Sequence, residues 1–268
     1  MGIIEIFGYV GALLIGIVLG LIGGGGSILT VPILVYLLHI HPVTATAYSL
    51  FVVGSSALVG TVKNVKKKKV DFKAAFIFAI PAFIAVYISR KYIVPAIPEE
   101  IVLFTYFTLS KHTAIMLLFA IIMLLSSFAM INGRNGDVEN ENYATNLNIP
   151  LIIIQAILIG FITGIIGAGG GFLIIPALVM LVKIPMKRAV ATSLLIVSIN
   201  SLIGFLGDVQ NIEIDWVFLL LFSAFSIVGM YIGLYLNNFI EGKKLKKGFG
   251  WFVLAMGIYI LIKEFSRQ

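Results

Sequence analysis

A glycine-interrupted apolar stretch, Gly20-Leu-Ile-Gly-Gly-Gly-Gly-Ser-Ile-Leu-Thr-Val-Pro32, returns later in the chain as Gly164-Ile-Ile-Gly-Ala-Gly-Gly-Gly-Phe-Leu-Ile-Ile-Pro176, a shift of 144 residues. The shift holds without a gap from Gly20 to about Ile88. It places Gly23 on Gly167, Ser49 on Ser193, Gly60 on Gly204, Asp71 on Asp215 and Tyr87 on Tyr231. Roughly a third of the paired positions are identical, more than shared hydrophobicity gives, so the chain is a duplication. Two related halves must build the fold together. A duplicated, glycine-broken hydrophobic segment is the pattern of secondary transporters, whose substrate site lies where the two broken segments meet.

Composition decides the solvent. With 60% hydrophobic and 12% charged residues in 268, and a mean hydropathy of +1.10, the chain has too little polar surface for a soluble domain and is expected in a lipid bilayer. The net charge of +7 lies between apolar runs, which predicts cytoplasmic loops rather than a nucleic-acid surface. Cysteine is absent, which excludes disulfides and thiolate metal sites. Met1-Gly-Ile-Ile-Glu5 lacks a basic leader region and a cleavage site, so the first apolar run is expected to be a retained helix.

Ten apolar segments follow, five per half, with residues 1–131 as the first transmembrane repeat, 132–148 as a polar linker and 149–268 as the second repeat. Gly16 and Gly20, repeated as Gly160 and Gly164, form small-xxx-small pairs that let helices approach closely in lipid. The run Ile28–Ile40 is short for a hydrocarbon core of about 30 Å, so the first two segments are either two tilted crossings or a re-entrant hairpin. Asp71 is expected to cap the fourth segment, which ends near Ser89, and Phe72 and Trp216 to anchor at an interface. Arg90 to Glu100 reads as an exterior loop, and Ile101 to Lys111 as an interfacial helix or an extension of the fifth segment.

The dense basic loop Lys63–Lys69 aligns with the acidic stretch Asp208–Asp215, and the second half's basic residues lie elsewhere, at Lys183 to Arg188 and Lys243 to Lys247. Matching loops therefore fall on opposite sides, as in an inverted-topology repeat with an odd number of crossings per half. The expected fold is an all-α integral membrane protein of two homologous halves with glycine-broken first and second helices.

Unwound backbone at membrane depth is tolerated only where it packs in protein or lines a polar cavity. The breaks leave N–H groups at the starts of the following helices, where the dipole favours an anion. The candidate substrate-binding residues are Gly23, Gly24, Gly25, Gly26 and Ser27, their counterparts Gly167, Gly169, Gly170 and Gly171, and Ser49, Thr192, Ser193 and Asn200 on the third segments. The segment interiors read as free of Lys and Arg and, beyond Glu5, of carboxylates, so no carboxylate proton relay is visible. His39 and His41 read as interface histidines rather than metal ligands. No HExxH, GxSxG or P-loop occurs, so nothing supports an enzyme, and no cofactor or metal is expected.

At Gly20–Pro32, Gly164–Pro176, Ala189-Val-Ala-Thr-Ser193 and Ile214-Asp-Trp216 the sequence resembles the sulfite exporter TauE/SafE family of permeases. The resemblance spans nearly the whole chain. It implies a multi-pass permease of the cell membrane that moves sulfite, sulfonates or other organosulfur anions. The partners it implies are a small anionic substrate and the bilayer, with no nucleic acid. Proton or sodium coupling and oligomeric state stay open, and a non-transporting sensor or assembly factor on the same scaffold is the alternative. Tyr48 stands where the second half has Thr192, which breaks the symmetry of a Thr pair.

Overall fold

Two helices, α3 (Pro42–Lys66) and α9 (Met186–Asp208), one from each half, form the axis of the computed structural model, which describes residues 3–24, 26–104, 107–132, 149–167, 169–180, 182 and 184–266. They are 67% and 72% buried, against 33–44% for the other long apolar helices, so they are the centre of the bundle. The backbone N–H of Asp71, just past the end of α3, donates to Thr192 Oγ1 near the start of α9 (3.0 Å). Reciprocally, the N–H of Asp215, past the end of α9, donates to Tyr48 OH near the start of α3 (2.7 Å). The two central helices therefore run antiparallel. Tyr48 and Thr192 differ in size but do the same work.

Around this axis α1 (Ile3–Ile22) packs on α10 (Trp216–Leu236), and α7 (Ile149–Ile166) on α4 (Phe72–Ile88). Each pairing joins opposite halves, and the 144-residue shift converts one into the other. Small residues make the approach possible: a Cβ on Gly16 would enter the Ser226 carbonyl, and one on Gly160 would come within 2.5 Å of the Ala82 carbonyl. Lipid supplies no hydrophobic drive between helices, so this close backbone packing is what holds the pairs. Helices α6 (Lys111–Asn132) and α11 (Gly242–Phe265), from the tails of the two repeats, pair with each other.

The outward faces are apolar. Along α4, Phe72, Phe76, Ile80, Ile84 and Ile88 recur every fourth residue and are exposed. Among the described residues seven helices are long and apolar enough to cross a bilayer, and such a continuous apolar belt requires one. The protein is an all-α integral membrane protein.

Asp71 and Asp215 cap α4 and α10 as expected, accepting at 3.0 Å from the N–H groups of Ala74 and Phe218. Asp71→Ala or Asp215→Ala should lower stability by about 1 kcal/mol each. Thermal unfolding in detergent would register this as a reduced midpoint.

Lys67 Nζ donates to Asn238 Oδ1 (3.5 Å) beyond α10, and Lys69 lies close to Lys67 and Lys187. Partial burial, then those two neighbouring charges, push the Lys69 amine below the usual lysine range. Basic loops of both halves thus share one end of the bundle. The Asn237 amide donates to the Leu21 carbonyl, which brings the last turn of α1 to that same end. Helix α2 (Gly26–Pro32), continued by a π-helical turn at Ile33–Leu37, then returns along α1, with Ile33 against Gly11 and Leu38 against Gly8. The first two segments are a helix and a return along it. Their counterpart after the second break is α8 (Gly171–Met180).

Two expectations are corrected here. Residues 101–104 and 107–110 are not helical: β1 (Glu100–Phe104) and β2 (Phe107–Ser110) pair antiparallel, Glu100 facing Ser110 and Ile101 facing Leu109, and the helix begins only at Lys111. Pro98 follows the end of the helix before β1, and the β-branched and aromatic residues favour strands. Residues 90–96 are not a loop either, since α4 continues through a π-helical turn at Ser89–Ile93 into α5 (Val94–Ala96), and only residues 97–99 join it to β1. The linker at 133–148, Lys183 and Gly25 lie outside the described residues.

Candidate functional site

Gly23 and Gly167 end α1 and α7 in the same way, donating to the carbonyls of Leu19 (2.7 Å) and Thr163 (2.8 Å) and then turning with φ of +80° and +71°. Gly169 and Gly170 continue the turn at +63° and +75°. A side chain in this left-handed region costs about 1–2 kcal/mol, which accounts for glycine at these four positions. Gly23 lies against the Val190 carbonyl and Ser193 Oγ of α9, whereas Gly167 lies against Thr46 of α3, the residue aligned with Val190. The two breaks thus enter from opposite ends of the axis. They meet at Gly24 and Gly171, which touch backbone to backbone.

The structure gathers Gly23, Gly24, Gly167, Gly169 and Gly171 around the α3–α9 axis with Ser193, whose hydroxyl donates to the carbonyls of Val190 (2.9 Å) and Gly23 (3.2 Å). Gly169 faces Ser201 Oγ, with Val53 and Val197 beside it. Ser49 Oγ, Ser201 Oγ and Asn200 Oδ1 are buried on the same two helices without a hydrogen-bond partner. An unmet polar atom in an interior costs about 1–3 kcal/mol, so three on one axis fit a site that a polar guest completes. The remaining candidates do other work. Gly26 makes room for Leu19 of α1, Gly170 packs on Thr163 of α7, and the Thr192 hydroxyl is engaged by Asp71. The side chain of Ser27 lies outside the described residues.

Sequence reasoning missed the strongest charge in the interior. Arg90 and Asp208, assigned to exterior loops, are buried and paired: Arg90 Nε donates to Asp208 Oδ2 (2.7 Å), and Nη2 donates to Thr46 Oγ1 (3.0 Å). Arg90 Nη1 has no partner. The π-helical extension of α4 keeps Arg90 on the face toward α9, where Gly207 leaves room for its Cβ at 3.1 Å. The apolar residues that resume at Tyr92-Ile93-Val94 were the available signal. Lys111 is also buried, 3.4 Å from the exposed carboxylate of Glu99.

Next to this pair a cleft of about 420 Å³ opens at the end of the bundle away from the lysine loops, lined by His41, Thr44, Val94, Glu99, Lys111, Asp208, Asn211 and Glu213 among others. At the lysine end, the positions aligned with Arg90, Asp208 and Thr46 are Leu234, Asn64 and Val190, and the Asn64 side chain donates to the Gly60 carbonyl of its own helix (3.1 Å). The two ends of the axis share a backbone plan and differ in charge.

Among the described residues no group of three or more metal-ligating side chains comes together. What the centre offers is glycine backbone and hydroxyls, groups able to donate hydrogen bonds to a polar guest.

The family model for the sulfite exporter TauE/SafE matches residues 9–260. A probable membrane transporter protein of Xylella fastidiosa is 30% identical over 257 residues, covering 94% of this chain and 93% of that protein. The probable membrane transporter protein YunE of Bacillus subtilis is 28% identical, covering 87% and 88%, and YdhB of the same organism is 24% identical, covering 87% and 90%. No solved structure matches.

Proposed function

The chain belongs to the sulfite exporter TauE/SafE family of membrane transporters, and from that premise we propose that it is a secondary transporter moving a small anion, sulfite, a sulfonate or another organosulfur anion, across the cell membrane by alternating access between its two repeats. The observation that carries this reading is the meeting of the two glycine breaks at Gly24 and Gly171, between central helices that bear Ser49, Asn200 and Ser201 with unmet polar atoms. Glycine N–H groups and hydroxyls would replace part of the anion's hydration, and each repeat would close one end of the path.

The antiparallel α3 and α9, and the pairings α1 on α10 and α7 on α4, support an inverted repeat. The clustered lysines support a reading with the Lys63–Lys69 end inside and Asp208–Asp215 outside. Single cysteines at Lys67, Gln210 and Lys244 in this cysteine-free chain test that arrangement. An impermeant thiol reagent should label 67 and 244 from the cytoplasmic side only and 210 from the outside only; labelling of 67 and 210 from one side would defeat the inversion.

Transport itself is tested in proteoliposomes with labelled sulfite, sulfate, thiosulfate and taurine. At least one should enter or exchange faster than in protein-free vesicles. A folded protein that moves none of them would favour the non-transporting alternative.

A further inference from the structure

We propose that Arg90 is the residue that receives the anion at the outer end of the path, and that Asp208 holds its place there while that end is closed. This rests on the transport reading above. Four observations lead to it. The first is the comparison that the duplication supplies. At the lysine end the positions aligned with Arg90, Asp208 and Thr46 hold Leu234, Asn64 and Val190, none of them charged, so the plan of the repeat does not require an ion pair. Taking two charges out of water can cost more than their attraction returns, and apolar replacements are often as stable. A charge pair kept on one side only has some other task.

The second is the state of the guanidinium. Arg90 is fully enclosed, yet Asp208 engages only its Nε, Thr46 accepts from Nη2, and Nη1 is without a partner. A guanidinium offers a planar fork of donors that matches two oxygens of one oxyanion. The edge formed by Nη1 and Nη2 is not occupied by a carboxylate here. The third is position. Asp208 lines the 420 Å³ cleft, Arg90 stands behind it, and Thr46 links Arg90 to Gly167 at the mouth of the second break. An anion moving from the cleft to Gly169 and Ser201 would meet these groups in that order. The other titratable groups on the cleft are Glu99 with its partner Lys111, Glu213 and His41.

The fourth is that the pair spans the two repeats, Arg90 from the first and Asp208 from the second. Any rocking of one repeat on the other that opens this end must separate them. The arriving anion then replaces the carboxylate on Arg90, so the guanidinium is neutralised in both states, and the released Asp208 carboxylate, which lines the cleft, is taken up by the water that the opening admits. The aligned positions at the lysine end carry no such pair.

The test uses two variants. Asp208→Asn removes the competing carboxylate. The double variant Arg90→Leu/Asp208→Asn copies the residues of the opposite end and removes both charges. A reporter cysteine at Val53, which is fully buried beside Gly169, is labelled from outside with an impermeant thiosulfonate in the absence of anion. Separately, exchange of labelled sulfite, or of whichever probe the parent carries, gives the half-saturating concentration. Asp208→Asn should speed labelling of position 53 by about tenfold or more, the factor expected for loss of one charge-assisted hydrogen bond. The double variant should raise the half-saturating concentration by about tenfold or more for the same reason. A double variant that exchanges anion at the parental half-saturation overturns the proposal. Where the parent moves none of the probes, the transport reading fails, and the labelling arm alone then decides whether the pair latches the outer end: unchanged labelling in Asp208→Asn overturns that too.

Discussion

Gly169→Leu should leave the protein inserted and folded but unable to move its anion. The residue has φ +63°, and a Cβ built on it would stand 2.5 Å from Ser201 Oγ. The backbone strain costs about 1–2 kcal/mol and the added volume about 1–3 kcal/mol, within the margin of about 5–15 kcal/mol by which folded domains are stable. The larger effect is on the site, because leucine fills the space between α3 and α9 where the breaks converge. Gly248→Leu is the control, since nothing lies within 4 Å of its Cβ, and it should transport at the parental rate. Gly16→Leu should differ from both by lowering the yield of folded protein, because its Cβ would enter the Ser226 carbonyl of α10. Size-exclusion profiles separate these cases before any flux is measured. A Gly169→Leu protein that reaches the membrane intact and transports at the parental rate would sink the site assignment.

Arg90→Leu alone should be far more damaging than Arg90→Leu combined with Asp208→Asn. The single change leaves the Asp208 carboxylate, which is 3% exposed, facing a leucine with no counter-charge, at a cost of about 3–5 kcal/mol. The double change removes both charges and leaves an uncharged amide at position 208, able to bond along its own helix as Asn64 does at the aligned position, so stability should return to within about 1 kcal/mol of the parent. Thermal unfolding in detergent reads both. Equal midpoints for the single variant and the parent would mean that water reaches Asp208 in solution and that the pair is not buried.

Much of the architecture was legible because membrane folds are written in apolar runs and small residues. The duplication, the N-caps at Asp71 and Asp215 and the packing role of Gly16 and Gly160 all depend on local or periodic features. Arg90 was not legible. Its burial depends on Asp208, 118 residues away in sequence, and on a π-helical turn that keeps α4 going past a polar pair of residues. Read locally, Arg90-Lys91 followed by prolines looks like a segment end. Ser49 and Ser193 were paired by the repeat, but only the structure distinguishes them: Ser193 is bonded to Val190 and Gly23, and Ser49 Oγ is unmet. The Tyr48 substitution, read as a loss of symmetry, proved conservative because a longer side chain delivers its hydroxyl to the equivalent backbone N–H.

The crossed pairing of α1 with α10 and of α7 with α4 also governs how the protein can be made. A ribosome delivers α1 first, and the helix that fits its glycine groove begins only at Trp216. Until then Gly16 and Gly20 face lipid or whatever helix comes near, and the first repeat is an unfinished object with two open grooves. Biogenesis must therefore hold the early helices apart without letting them aggregate, and the last helices inserted decide whether the whole assembles. Damage to α10 should reach back to α1, so that a truncation late in the chain destabilises its beginning.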